Sequence, residues 1–395
     1  MSTKFMKDSY EETFNNMGEL LDRLKELEDV STWIRDVALR DVQIHAIVPW
    51  EELPEEYRSQ ETMEPETVED TMHNSGFYVT LPDGQAYCLR EQGISSVQGR
   101  AGITGQAYRR LSKEKTAQHL NDGLSVTDIG KKCYIRNEGG KILSIHSDEY
   151  NPFNMYEAYS TAQEWLALQY PDARFVEATM NHDGVVSKFD FSAYNAELFN
   201  DVKELFKAEV VFPTLQISMG DSAKAAVTIA PEVYANGLKI PLGDPITNKH
   251  RGNDNPLEKF KKALLEVEGQ FERKIMNLRT LADIEITYPL DCFMNMSAQV
   301  GLLKQYTKAT KMSAEMFNIM SVFPAQEANL KMSALDVYIG MCEIISYVSN
   351  ETRAKGADVE AGVAKATSMV ARALKINWKG TDFPNLDTIK GGGKS

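Results

Sequence analysis

A chain of 395 residues exceeds most single-core folds, and its 43% hydrophobic, 25% charged composition belongs to a globular protein rather than a disordered or fibrous one. Its formal net charge is -14, and the lack of a run of roughly 18 apolar residues argues against a membrane span. The charge is uneven, however: residues 1–70 hold 19 Asp/Glu against 7 Lys/Arg, so the remainder is close to neutral and can carry positive patches.

In chain order, residues 11–29 read as an amphipathic helix with Leu20, Leu21, Leu24 and Leu27 on one stripe. The opening stretch lacks the apolar core of a secretory signal, so a cytoplasmic location is expected. Residues 41–48 read as a strand. The Glu- and Pro-rich stretch that follows, to residue 70, reads as a loop or flexible linker with room for one helical turn. Two short strands should flank the Asp83–Gly84 turn, and residues 94–124 should form helices broken at glycines. "CYIR", "NEGG" and "KILSI" make a hairpin with a Gly–Gly turn. A helix over 154–169 stopping at Pro171 should precede strands at 173–180 and 185–191 around the "NHDG" turn, then strands at 209–218 and 223–230. From residue 256 the pattern becomes helical and rich in Met and Ala.

Hairpins followed by helices predict an α+β fold: an antiparallel sheet of hairpins packed with helices, then a mostly helical C-terminal part. The expected divisions are 1–74 (acidic helix, strand and linker), 75–255 (mixed α+β body), 256–378 (Met/Ala-rich helical part) and 379–395 (exposed tail). Cys88, Cys133, Cys292 and Cys342 are widely spaced with no CxxC pair, which predicts reduced, mostly buried thiols.

No phosphate loop is present; the "GGGKS" tail lacks the spacing, strand and helix of one. His146 beside Asp148, and His182 beside Asp183, are oxygen-rich turns that suit turn chemistry better than metal ligation. No catalytic residue, metal ligand or cofactor is assigned. Basic patches are more informative. Residues 90–141 hold ten Lys/Arg against five acids, and 239–264 hold six against three. The candidate phosphate or nucleic-acid contacts are Arg100, Arg109, Arg110, Lys131, Lys132, Arg136, Lys249, His250, Arg251, Lys261 and Lys262. "GNDNP" opens a helix at Pro256, with Asn255 or Asp254 as its cap. Tyr108, Tyr134, Phe153, Tyr156 and Tyr159 interleave with the basic region, as base-stacking groups or as core.

The segments "LREQGISSVQGRAGITGQAYRRL", "CYIRNEGGKILSIHSDEYNPFNMYE", "NHDGVVSKFDF" and "ISMGDSAKAAVTIAPEVYANGLKIPL" with "NKHRGN" resemble a group of phage- and plasmid-encoded proteins of unknown function, the DUF932-like family, over residues 75–275. The resemblance implies a phage or prophage setting, with DNA metabolism or host interaction as its context, and carries no catalytic residue. The leading expectation is therefore binding of single-stranded DNA or another polyanion, in an annealing-like role, by a homo-oligomer. The alternatives are an oligomeric phage structural or host-interaction protein, whose acidic N-terminal segment engages a host or phage protein, and a metal-assisted phosphoesterase.

Overall fold

The computed structural model describes residues 5–105, 110–193, 196–220, 227–248, 255–267, 270–326, 332–354 and 359–384. The chain is an α+β protein built on two sheets, and the N-terminal third builds most of the smaller one. Strand β1 (Glu11–Phe14) leads into α1 (Met17–Asp29), capped by Asn16, whose Oδ1 accepts from Gly18 N at 2.7 Å. The expected helix over 11–29 thus begins later, because residues 11–14 pair with a distant strand. Next come β2 (Ser31–Ala38), β3 (Gln43–Ala46), α2 (Glu55–Arg58), α3 (Pro65–His73), β4 (Phe77–Thr80), β5 (Ala86–Leu89), α4 (Ile94–Ala101), α5 (Lys113–Ser125), β6 (Lys132–Glu138) and β7 (Lys141–Ser147). The six-stranded sheet has the order β2-β6-β7-β5-β4-β3, antiparallel except for the β5–β7 pair. Gly139 and Gly140, both at positive φ, turn the β6–β7 hairpin as its sequence predicts.

Alternation along these strands sends Ile34, Ile135, Ile145 and Val79 to one face, where α4 and α5 cover them. The other face is divided. Over β4 and β5 it is closed by residues 50–73, which are not a flexible linker: Leu53, Met63 and Val68 are buried against Tyr78 and Cys88, and Trp50 Nε1 donates to Met63 O at 3.0 Å. Apolar residues spaced through an acidic stretch suffice to fold it once a sheet is present. The expected division at residue 74 therefore runs through one sheet.

The larger sheet is antiparallel. Helix α6 (Met155–Gln169) precedes β8 (Arg174–Asn181), β9 (Gly184–Asp190), α7 (Ala196–Phe206), β10 (Val211–Met219), β11 (Val227–Ala235), β12 (Leu238–Pro241) and β13 (Ile246–Asn248). The strand order is β1-β8-β9-β10-β11-β12, with β13 also on β11. The helices are α8 (Pro256–Val267), α9 (Gln270–Ala282), α10 (Pro289–Gln299), α11 (Leu302–Gln305), α12 (Thr307–Gln326), α13 (Ala334–Ala354) and α14 (Val359–Arg372); a two-residue ribbon joins β14 (Glu285–Ile286) to β15 (Met332–Ser333). Asn255 caps α8 as expected, its Oδ1 accepting from Leu257 N at 2.9 Å.

These helices share one core with the large sheet, so the expected division at residue 255 separates nothing. Tyr338 of α13 donates to Pro241 O of β12 at 2.7 Å. At Gly340 of α13 a Cβ would stand 2.5 Å from the Phe317 ring, so its absence lets α12 and α13 approach. The expected tail also begins later than residue 379. Trp378 and Thr381 are buried, and the Asp382 carboxylate accepts from Thr287 N and Tyr288 N. Among the described residues, no helix is long and apolar enough to cross a membrane.

Candidate functional site

The part of the small sheet over β2, β6 and β7 presents a different surface on the face away from α4 and α5. Pairing sets Trp33 opposite Arg136, Tyr134 opposite His146, and Arg136 opposite Ser144. Strand alternation therefore gathers two aromatics, a histidine and an arginine on one face. The Ser147–Tyr150 turn, closed by Tyr150 N donating to Ser147 O, folds Tyr150 back over His146. The two rings stack at 3.7 Å and 24°. Trp33 packs beside both, at 5.5 Å from His146 and 5.4 Å from Tyr150.

A bulge in β2 completes the site. The β2–β6 register shifts between Ile34 and Val37, and Asp36 sits at φ +58. A non-glycine residue there is strained, and such bulges re-aim neighbouring side chains. The bulge places the exposed Arg35 guanidinium 5.4 Å from the centroid of the Tyr134 ring. Arg35, Tyr134, Asp148, Glu149, Tyr150, Asn151 and Pro152 line an open cleft of about 330 Å³. It has two tyrosine rings, one outward cation and two exposed carboxylates, which is the equipment for stacking a planar group and gripping its polar edge.

Beside this cleft, on the same sheet face, lies a buried ionic cluster that joins the two sheets. Arg90 and Lys141 are fully buried. Arg90 Nη1 donates to Asp8 Oδ1 at 3.1 Å and Met6 O at 3.3 Å, and its Nη2 donates to Phe5 O and, at 2.8 Å, to Glu138 O. Lys141 Nζ bonds the carboxylates of Asp8, at 3.0 Å, and Asp70. His182, in the β8–β9 turn of the large sheet, gives Nδ1–H to Glu138. Its Nε2 lies 3.1 Å from Arg90 Nη1 and 2.8 Å from Lys7 O, so it accepts from the first when neutral and donates to the second when protonated. Burial pushes the Glu138 carboxyl up, but His182, then Arg90 and Arg136, outweigh it and hold it below the ordinary value. Residues 5–8 are thereby threaded between the sheets as a strap.

The sequence-predicted contacts divide as follows. Arg136 is not available to a ligand's phosphates: it is buried, 3.0 Å from Glu28 Oε1, with its guanidinium 5.3 Å from the Trp33 ring. It belongs to the wall's support: it shares the face of Tyr134, but Glu28 of α1 and the Trp33 ring close over it. Arg100 is half-buried at the end of α4, where its charge acts on Cys133. Lys132 is exposed and 3.3 Å from Asp36 on the bulge. Lys131 and Arg110 are exposed, the former at the cleft end of β6. Lys261 and Lys262 are exposed on α8, Lys261 with Glu258 at 2.9 Å. Arg109, Lys249, His250, Arg251 and Tyr108 lie outside the described residues. Phe153, next to Pro152 of the cleft lining, is buried and meets Phe260 of α8 edge-on at 6.0 Å. Tyr159 is core, donating to Ile217 O.

The "NHDG" turn is a turn, with Asn181 Oδ1 accepting from Asp183 N at 2.9 Å, but its histidine also spans the two sheets. His146 Nε2 is 2.7 Å from Ser144 Oγ. Among the described residues, no three His, Cys, Asp or Glu are grouped to hold a metal ion. Trp33 and Arg35 are not legible as site residues in the sequence because β2 does not read as a strand there: the alternation of Trp33, Arg35 and Val37 against Ile34 is broken by the bulge itself. No family model matches the chain, and no curated protein or solved structure is significantly similar to it.

Proposed function

We propose that the chain binds single-stranded nucleic acid through the β2–β6 cleft. The observation that carries the reading is Arg35, thrown out by the strained bulge and held over Tyr134 beside the Trp33–His146–Tyr150 stack. Every base has a π-face, so an aromatic wall takes bases without regard to their identity. Exposed Arg35, Lys131 and Lys132 supply cations for the phosphates. An annealing-like role and a phage setting rest on the family resemblance of the sequence.

The test is binding of a labelled oligonucleotide at about 50 and 200 mM salt. Three or four phosphate contacts to a single strand predict a loss of roughly 20- to 50-fold in affinity across that range. Arg35→Ala should weaken binding about tenfold, a magnitude consistent with one lost stacking and charge contact. No binding at low salt would sink the proposal.

A second reading, a self-associating interaction protein, is favoured by one observation. Met312, Met316 and Ile319, spaced four and three along α12, are 41%, 43% and 49% exposed. This is the i, i+4, i+7 stripe of a helix that packs on something, here facing outward. Mass measurement in solution, with and without DNA, separates the readings: an assembly that ignores DNA favours this one.

A further inference from the structure

The cleft contains a contradiction for a polyanion site. Asp148 and Glu149 line it, both exposed, a few residues from the cations that would meet phosphates. Carboxylates beside a phosphate path repel it, and Arg35 is the single cation of the lining. Their position is not required by the turn: the backbone bond of Tyr150 N to Ser147 O closes it whatever the side chains are.

We infer that Asp148 and Glu149 read the Watson–Crick edge of a base stacked on the cleft wall, and that they select guanine. This rests on the nucleic-acid reading above. A carboxylate only accepts hydrogen bonds, so it suits a base edge that offers donors. Guanine presents N1–H and the N2 amino group side by side, a pair that one carboxylate takes bidentately. Thymine and uracil present one N–H between two carbonyl oxygens, which a carboxylate repels. Cytosine and adenine each offer an amino donor beside a ring-nitrogen acceptor and fall between. Single strands are the substrate in which this edge is free to be read. The wall at Tyr134 and Tyr150 stacks the base, Arg35 covers its outer face or the adjoining phosphate, and the two acids face its edge. The repulsion that they exert on phosphates is then the means of rejecting strands that bring no donors.

The experiment measures affinity of the full chain for three labelled oligonucleotides of equal length: all-thymidine, alternating guanosine–thymidine, and alternating inosine–thymidine. Inosine keeps N1–H and lacks the N2 amino group. The expected order is guanosine over inosine over thymidine, with about tenfold between the ends, as for one bidentate base contact. In the Asp148→Asn, Glu149→Gln double variant the guanosine preference should shrink to about twofold or less, with all-thymidine affinity unchanged or raised. Both side chains are exposed, so circular dichroism should show an unaltered fold. Equal affinity for all three oligonucleotides in the native chain overturns the inference and leaves the nucleic-acid reading standing. A full guanosine preference persisting in the double variant also overturns it. Failure to bind any of the three overturns the nucleic-acid reading, and the inference with it.

Discussion

Arg90→Met is the most informative perturbation of the fold, because the guanidinium is where the strap and the two sheets meet. Its two terminal nitrogens reach Asp8, Met6 O, Phe5 O, Glu138 O and His182, from inside a site with no solvent exposure. Methionine fills similar volume and supplies no donor. The Asp8 carboxylate keeps Lys141 and Glu91 N, at 2.9 Å, but three backbone carbonyls lose a donor and Glu138 loses a neighbouring charge. Removing one partner of a buried pair costs about 3–5 kcal/mol. If all 395 residues unfold together, at about 2.1 cal/mol/K per residue, that loss lowers Tm by roughly 4–6 °C. Arg90→Lys keeps the charge but cannot span the same acceptors, and should fall between. The assay is thermal unfolding followed by circular dichroism, with Asp8→Asn and the double variant completing a cycle. A Met variant within about 1 °C of the native chain would refute the claim that the cluster holds the sheets together. So would strictly additive effects of the two substitutions.

The same cluster sets the acid response. Glu138 is held low despite burial by His182 and Arg90, and Asp70, also raised by burial, is held low by Lys141 and by Asp8 N. A depressed carboxyl contributes stability above its unfolded value of about 4 and loses it as pH falls through the folded value. The urea midpoint should therefore drop below about pH 4, and Lys141→Met should flatten that drop; parallel profiles would contradict it. Burial pushes the thiols of Cys88 and Cys292 up to about 11 and of Cys133 up to about 12, and holds that of Cys342 well above its ordinary value. Ellman's reagent should thus leave the native thiols unreacted and count four in denaturant. Gly184→Ala should destabilise by roughly 1–3 kcal/mol, since φ is +145 and the new Cβ would lie 2.2 Å from Met219 O. Gly99→Ala, in helix α4 with open space around it, should be neutral or stabilise by up to about 1 kcal/mol, measured by the same denaturant titration.

Local chemistry made much of the chain legible. The Gly139–Gly140 hairpin, the Asn255–Pro256 helix start, the Asp83–Gly84 turn and the helical C-terminal third are visible in the sequence because each depends on φ, capping or periodicity within a few residues. Residues 50–73 misled for the same reason. Their acids and prolines dominate locally, while Leu53, Met63 and Val68 fold them by finding a sheet. The expectation that Arg136 faces a ligand failed because charge says nothing of cover; Arg136 shares the face of Tyr134, but Glu28 of α1 and the Trp33 ring close over it.

By itself the sequence determined the turns, the hairpins before the helices and the separation of an acidic start from a near-neutral body. Tertiary structure alone decided what that separation is for. Asp8, Glu28 and Asp70 of the acidic start pair with Arg90, Arg136 and Lys141 of the basic stretch, more than 60 positions away in every case. Much of the apparent polyanion patch is thus neutralised internally. What lines the cleft is what a bulge and a turn expose: Arg35 over Tyr134, and the acids of residues 148 and 149 beside it. The physical reason is range. Helix and turn preferences act over a few residues, whereas ion pairing and strand register join residues that the sequence holds far apart.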